Sequence, residues 1–146
     1  IYKIRTMKND APQRGTHAVS NSFLLKIGKL IRKIKLDEFP QLINVIMGDI
    51  NLVGPRPGLV TQEILRSERE ENNIFNINPG ITGLAQILGY DMSNPKKLSE
   101  IDLIYMKNKS LHFDLMILLG TFFSKYRSQI ASRLGVHVNT KKNENT

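Results

Sequence analysis

The chain contains no cysteine, so neither a disulfide framework nor a thiolate metal site can be part of it. No apolar run approaches the ~20 residues that a bilayer-spanning helix needs, and nothing at the start reads as a signal peptide. Acidic residues are in deficit: 13 Asp and Glu against 21 Lys and Arg leave a net charge of +8. That balance calls for an anionic partner, and nucleic acid, acidic lipid headgroups and a phosphorylated small molecule all satisfy it. Aromatic residues are few and not interleaved with the basic ones, as a base-stacking platform requires, and no nucleic-acid motif is recognisable. The three histidines, His17, His112 and His137, lack paired metal-ligand spacing, so they are assigned no metal. Internal repeats and low-complexity tracts are absent as well.

The 146 residues suffice for one domain with a core, expected over 1–139, with a disordered tail from Thr140 to Thr146. Ile1 to Met7 alternates like a strand from the first residue, with no starting Met. The expectation is a chain trimmed at its N-terminus, with room upstream for a membrane anchor. Lys8 to Asn21 reads as a loop, and Ser20-Asn21-Ser22 offers N-cap chemistry for a first helix, Ser22 to Lys35. Leu24, Ile27, Ile31 and Ile34 mark its apolar face; Lys26, Lys29, Arg32, Lys33 and Lys35 mark the polar one. A second helix, Phe39 to Met47, repeats the spacing with Phe39, Leu42, Ile43 and Ile46. Gly48-Asp49 closes it.

Beyond it come a stiff loop, Ile50 to Gly58, and a charged helix, Val60 to Asn72, expected to face solvent along Glu68-Arg69-Glu70-Glu71. Ile74 to Gly89 alternates around Pro79-Gly80 and predicts a small hairpin or extended pair. Lys96 to Lys107 returns to helix, with Leu98, Ile101 or Asp102, and Tyr105 on one side. Phe113 to Leu134 contains a more apolar helix, Phe113 to Phe123. The fold class predicted is α+β, mainly helical.

Two stretches carry chemistry. Pro40 fits a first helical turn, which puts Asp37 and Glu38 near the N-cap of the second helix. There they either cap orphan N–H groups, contributing about 0.5–2 kcal/mol, or form a reactive pair amid Arg32, Lys33 and Lys35. In the second case Asp37 is a carboxylate nucleophile and Glu38 an oxygen ligand for Mg2+, which commonly takes one or two carboxylates beside substrate phosphates. In Gly54-Pro55-Arg56-Pro57-Gly58, Pro55 fixes its own φ and Pro57 pushes Arg56 into extended geometry. That loop is either a plain turn or a stiff mount presenting one guanidinium to a phosphate. Two glycines in Asn78-Pro79-Gly80-Ile81-Thr82-Gly83 would permit close backbone approach, though a Pro-Gly turn explains them equally. Gln86, Asp102 and Tyr105 either line a site or are polar surface, and taken singly each favours the second reading. The basic first helix beside the late apolar one also suits an anionic membrane surface.

Four ordered motifs bear a resemblance: Tyr2 to Met7, Leu30 to Leu42, Gly48 to Pro57 and Pro79 to Gln86. Together, over Tyr2 to about Thr121, they closely resemble the bacterial sugar transferases. These are monotopic polyprenyl-phosphate phosphoglycosyl transferases that initiate capsule, exopolysaccharide, O-antigen or glycoprotein glycan synthesis. The resemblance implies Mg2+ as cofactor, a nucleotide-sugar donor, a UDP-sugar above all, a polyprenyl phosphate acceptor, and the cytoplasmic leaflet of the bacterial inner membrane as location. It implies Asp37 as nucleophile, Glu38 as metal ligand, Arg32 and Lys3 at the phosphate site, and Arg56, between Pro55 and Pro57, on the donor diphosphate. Gln86 would line the site. The family's N-terminal hydrophobic segment and Gly-rich stretch are not in this chain. Leu84-Ala85-Gln86 and Leu88-Gly89-Tyr90 stand where many relatives have Trp-Ala-Gln and Asn-Gly-Arg. The competing expectation is a non-catalytic basic module binding nucleic acid or anionic lipid.

Overall fold

The computed structural model describes residues 2–7, 25–34, 36–59 and 61–139, with backbone alone at Lys26 and Lys33. The expected loop at 8–21, the Ser20-Asn21-Ser22 cap, Lys35 and the tail at 140–146 lie outside the described residues. The chain divides into two compact units, Ile1–Asp49 and Ile50–Thr146.

In the first unit, residues 2–6 form no strand and Met7 carries a bridge, so over the described residues the strand expected at Ile1 to Met7 is corrected to an irregular segment. Its backbone is held instead by single bonds: Tyr2 N–H to Asn44 Oδ1 at 2.8 Å, Ile4 N–H to the Asp37 carbonyl at 3.0 Å, and the Thr6 carbonyl to Leu25 N–H at 3.0 Å. Helix α1 is Lys26–Lys33 and helix α2 is Gln41–Ile46. A Cβ at position 28 would run into the Thr6 carbonyl, so only glycine lets this segment cross α1 so closely.

Between the helices lies a 3₁₀ turn, Leu36–Glu38, and Asp37 occupies it rather than the α2 N-cap, which is Pro40. The reason is Pro40's missing N–H. The Leu36 carbonyl cannot take an α-type bond from it and accepts from Phe39 N–H at 3.2 Å instead, which tightens the turn. The spaced apolar residues Ile27, Leu30, Ile34, Phe39, Ile43 and Ile46 are exposed, Ile46 to 86%.

The second unit holds strand β1, Asn51–Val53, and strand β2, Gly80–Thr82, paired in parallel with Asn51 opposite Gly80 and Val53 opposite Thr82. The expected hairpin within Ile74 to Gly89 is therefore corrected. Parallel pairing needs a crossover, and helix α3, Glu63–Glu71, with a 3₁₀ turn at Ile74–Asn76, supplies it. Gly80 serves close approach instead of reversal: a Cβ there would meet the Gly54 backbone.

Helices α4 (Leu84–Ile87), α5 (Pro95–Asn108), α6 (Leu111–Phe122) and α7 (Ser124–Leu134) follow. Leu98, Ile101 and Tyr105 of α5, Phe113 and Ile117 of α6 and Ile130 of α7 pack into one core with Val53, Leu65 and Leu88. Arg127 donates to the Gly120 and Thr121 carbonyls and so satisfies the end of α6. The unit is mainly helical with a two-stranded sheet, matching the predicted α+β class. Among the described residues no helix is long and apolar enough to cross a membrane.

Candidate active site

In the first unit the 3₁₀ turn turns Asp37 inward, leaving the residue 4% exposed, while Glu38 stays partly open. Lys3 reaches both carboxylates, its Nζ lying 3.2 Å from Asp37 Oδ2 and 3.6 Å from Glu38 Oε1. The segment from Tyr2 to Thr6 makes this possible. Bonds to its backbone at Tyr2 and Ile4 hold the residues on either side of Lys3, so the Cα of Lys3 is fixed beside the turn. Asn44 is the buried fastener: its Oδ1 takes Tyr2 N–H, and its Nδ2 donates to Asp49 Oδ2 at 3.0 Å.

Arg32 donates from Nε to the buried Thr6 Oγ1 at 2.8 Å, and no ion pair joins it to Asp37 or Glu38 among the described residues. Thr6 and Asn44 carried no sequence signal, because each acts through a partner tens of residues away. Asp37 and Glu38 thus share one cation, the Lys3 ammonium. Two carboxylates are what Mg2+ commonly takes from a protein beside phosphate and water, and among the described residues no group of three or more His, Cys, Asp or Glu is gathered for a metal.

In the second unit the Pro55-Arg56-Pro57 loop leaves β1. Pro55 is buried, Arg56 is exposed and Pro57 lies between. The Pro55 carbonyl accepts from Gly80 N–H at 2.9 Å, and the Arg56 carbonyl accepts from Arg69 Nη1 at 2.9 Å. Arg69 is 4% exposed, so the expectation that the run Glu68-Arg69-Glu70-Glu71 faces solvent is corrected at Arg69, while Glu70 and Glu71 are exposed and Glu68 is half-buried. It lies one turn beyond the buried Leu65 on the inner face of α3, and its Nε and Nη2 both donate to Asp102 Oδ2, at 3.0 and 2.6 Å.

Asp102 and Tyr105 are likewise not polar surface; both are buried on the α5 core face. Burial pushes the Asp102 carboxyl up to about 6 while Arg69 pulls it down, so the pair is ionic at pH 7. The Tyr105 hydroxyl lies 3.1 Å from the Val53 carbonyl and 2.9 Å from Asp114 Oδ1, and burial together with Asp114 raises it above the ordinary phenol range. Gln86, on α4, donates from Nε2 to the Ile81 carbonyl at 3.3 Å, and its buried Oε1 has no partner among the described residues.

Residues 1–128 match the family described as bacterial sugar transferase. The chain is 42% identical over 121 residues to the uncharacterized sugar transferase EpsL of Bacillus subtilis strain 168, covering 83% of this chain and 59% of that protein. It is 35% identical over 131 residues to a UDP-N-acetylgalactosamine-undecaprenyl-phosphate N-acetylgalactosaminephosphotransferase of Aeromonas hydrophila, covering 83% and 30%. To the UDP-glucose:undecaprenyl-phosphate glucose-1-phosphate transferase of Escherichia coli strain K12 it is 34% identical over 142 residues, covering 90% and 30%. The chain thus spans between 30% and 59% of these relatives' length.

Proposed function

Because this chain belongs to the bacterial sugar transferase family, we propose that it transfers a sugar-1-phosphate from a UDP-sugar to a polyprenyl phosphate through an aspartyl-phosphosugar intermediate on Asp37. Two relatives named for UDP-sugar donors and undecaprenyl-phosphate acceptors support the substrate classes. The observation that carries the catalytic assignment is the buried Asp37 in its tight turn, bridged with Glu38 by Lys3.

In the first step an Asp37 carboxylate oxygen attacks the sugar-bearing phosphorus. A new P–O bond forms, the bond to the bridging oxygen breaks, and UMP leaves with the electron pair. In the second step a phosphate oxygen of the polyprenyl phosphate attacks the same phosphorus, the acyl-phosphate bond breaks, and Asp37 returns as carboxylate. Phosphoryl transfer of this kind depends on placement and charge neutralisation more than on proton movement. Lys3 offers positive charge at the turn, and Arg56 offers a bidentate fork for the donor diphosphate. Glu38, with Asp37 beside it, would hold Mg2+, which supplies further neutralisation of phosphate charge when bound. The exposed isoleucines and Phe39 of the first unit suit an interfacial position at the cytoplasmic face of the bacterial membrane, where the lipid acceptor resides. The product would open a capsule, exopolysaccharide, O-antigen or glycoprotein glycan chain.

The test uses the full-length protein with a UDP-sugar panel, Mg2+ and undecaprenyl phosphate. UMP should be released, and labelled sugar phosphate should remain on the protein when acceptor is withheld. Asp37→Asn should lose both signals; turnover unchanged in that variant would sink the assignment.

A further inference from the structure

The Arg56 loop is held from behind. Two peptide planes flank the Arg56 Cα, one ending in the Pro55 carbonyl and one in the Arg56 carbonyl. Gly80 N–H bonds the first and Arg69 Nη1 the second, each at 2.9 Å. With both planes fixed, the Cα–Cβ bond of Arg56 has one direction. Pro55 and Pro57 limit the dihedral angles and have no N–H to donate, so the loop is anchored through its carbonyls. Gly80 holds the Pro55 carbonyl and Arg69 provides the second anchor, at the Arg56 carbonyl. Arg69 is 4% exposed, and its described bonds go to Asp102 and to the Arg56 carbonyl, so each of its three side-chain nitrogens is engaged within the fold. Asp102 in turn lies between the core residues Leu98, Ile101 and Tyr105 on α5, and α5 also reaches the root of the loop through the Tyr105 hydroxyl at the Val53 carbonyl.

We propose that Arg69, held by Asp102, is a positioning residue for donor recognition: it aims the Arg56 guanidinium at the diphosphate by fixing the loop backbone, without touching substrate. This rests on Arg56 holding the donor diphosphate. The advantage is preorganisation. A guanidinium already aimed loses little freedom on binding, whereas a loop free to rock must be ordered by the ligand, and a misplacement of about 1 Å can cost on the order of 100-fold in activity.

The experiment is a double-mutant cycle in the full-length protein, read as UDP affinity by titration calorimetry with thermal unfolding alongside. Arg69→Lys keeps a charge for Asp102 but replaces the three-pronged donor with one compact head that cannot serve both oxygens. The paired replacement Arg69→Met with Asp102→Leu removes the brace while leaving no unpaired buried charge. Either change should weaken UDP binding about 10-fold when Arg56 is present, and by less than about 2-fold in an Arg56→Ala background. Equal weakening in both backgrounds would show a general structural role and overturn the proposal. So would undiminished binding in a folded variant, or loss of fold in both variants while Arg56→Ala folds. If Arg56→Ala itself leaves UDP affinity unchanged, the diphosphate assignment of Arg56 fails, a separate result from failure of the brace.

Discussion

Replacing Lys3 by Met removes the positive head that bridges Asp37 and Glu38 and keeps most of the apolar stem. At 3.2 and 3.6 Å, and with an effective dielectric constant of about 20, each contact has a gross Coulomb energy of about 5 kcal/mol. Desolvation offsets much of this. The Lys3 side chain is also 36% exposed, so solvent screens it further, and the net loss should be about 1–3 kcal/mol. Two neighbouring carboxylates would then face an incoming diphosphate with that charge gone. The loss should fall on the reaction, lowering kcat/KM about 10- to 100-fold. The assay is UMP release from a UDP-sugar, with denaturant unfolding to confirm that the variant folds. Lys3→Arg should recover part of the rate, because it restores the charge with a different head. A folded Lys3→Met protein within about 2-fold of the parent kcat/KM would refute the reasoning and leave Lys3 a scaffold residue.

Two further outcomes are expected. Asp102 binds its proton more tightly folded than unfolded, with its carboxyl raised from 3.8 to about 6 by burial. Folding therefore takes up a proton in that window, and the Asp102 contribution to stability falls by on the order of 3 kcal/mol as pH rises from about 4 to 6. Unfolding free energies at pH 4, 5, 6 and 7 should show this slope in the parent and not in the paired variant Arg69→Met with Asp102→Leu, which strands no charge; parallel curves would rule it out. Excess EDTA should stop UMP release and Mg2+ should restore it, whereas activity persisting under chelation would take the metal out of the mechanism.

How much was legible in the sequence depended on range. Helices α5 and α6 are close to their predicted spans because their apolar spacing is long enough to define a period. The three-residue strands β1 and β2 have no period to read, and the direction of their pairing is set by the crossover through α3, so Pro79-Gly80 reads locally as a reversal. Asp37, Glu38 and Arg56 stood out because unusual local residues surround them. What fixes them did not. Lys3 and Asp37 are 34 positions apart and Arg69 and Asp102 are 33 apart, separations over which local pattern carries no information.

Yet one long-range partnership left a trace. Asp102 falls on the same helical face as Leu98, Ile101 and Tyr105, and Arg69 falls one turn after Leu65. A single charge on an apolar stripe is costly to bury alone, by several kcal/mol, so each such residue requires an opposite charge or must break its stripe. Here α3 contributes a cation and α5 an anion, and the packing of those two helices brings the charges to 2.6 Å. Removing either side alone would strand the other in the core, so the packing of α3 on α5 and the burial of this pair stand or fall together. Because the same guanidinium holds the Arg56 carbonyl, the loop's aim is tied to the buried contact of α3 with α5 rather than to the surface of the second unit.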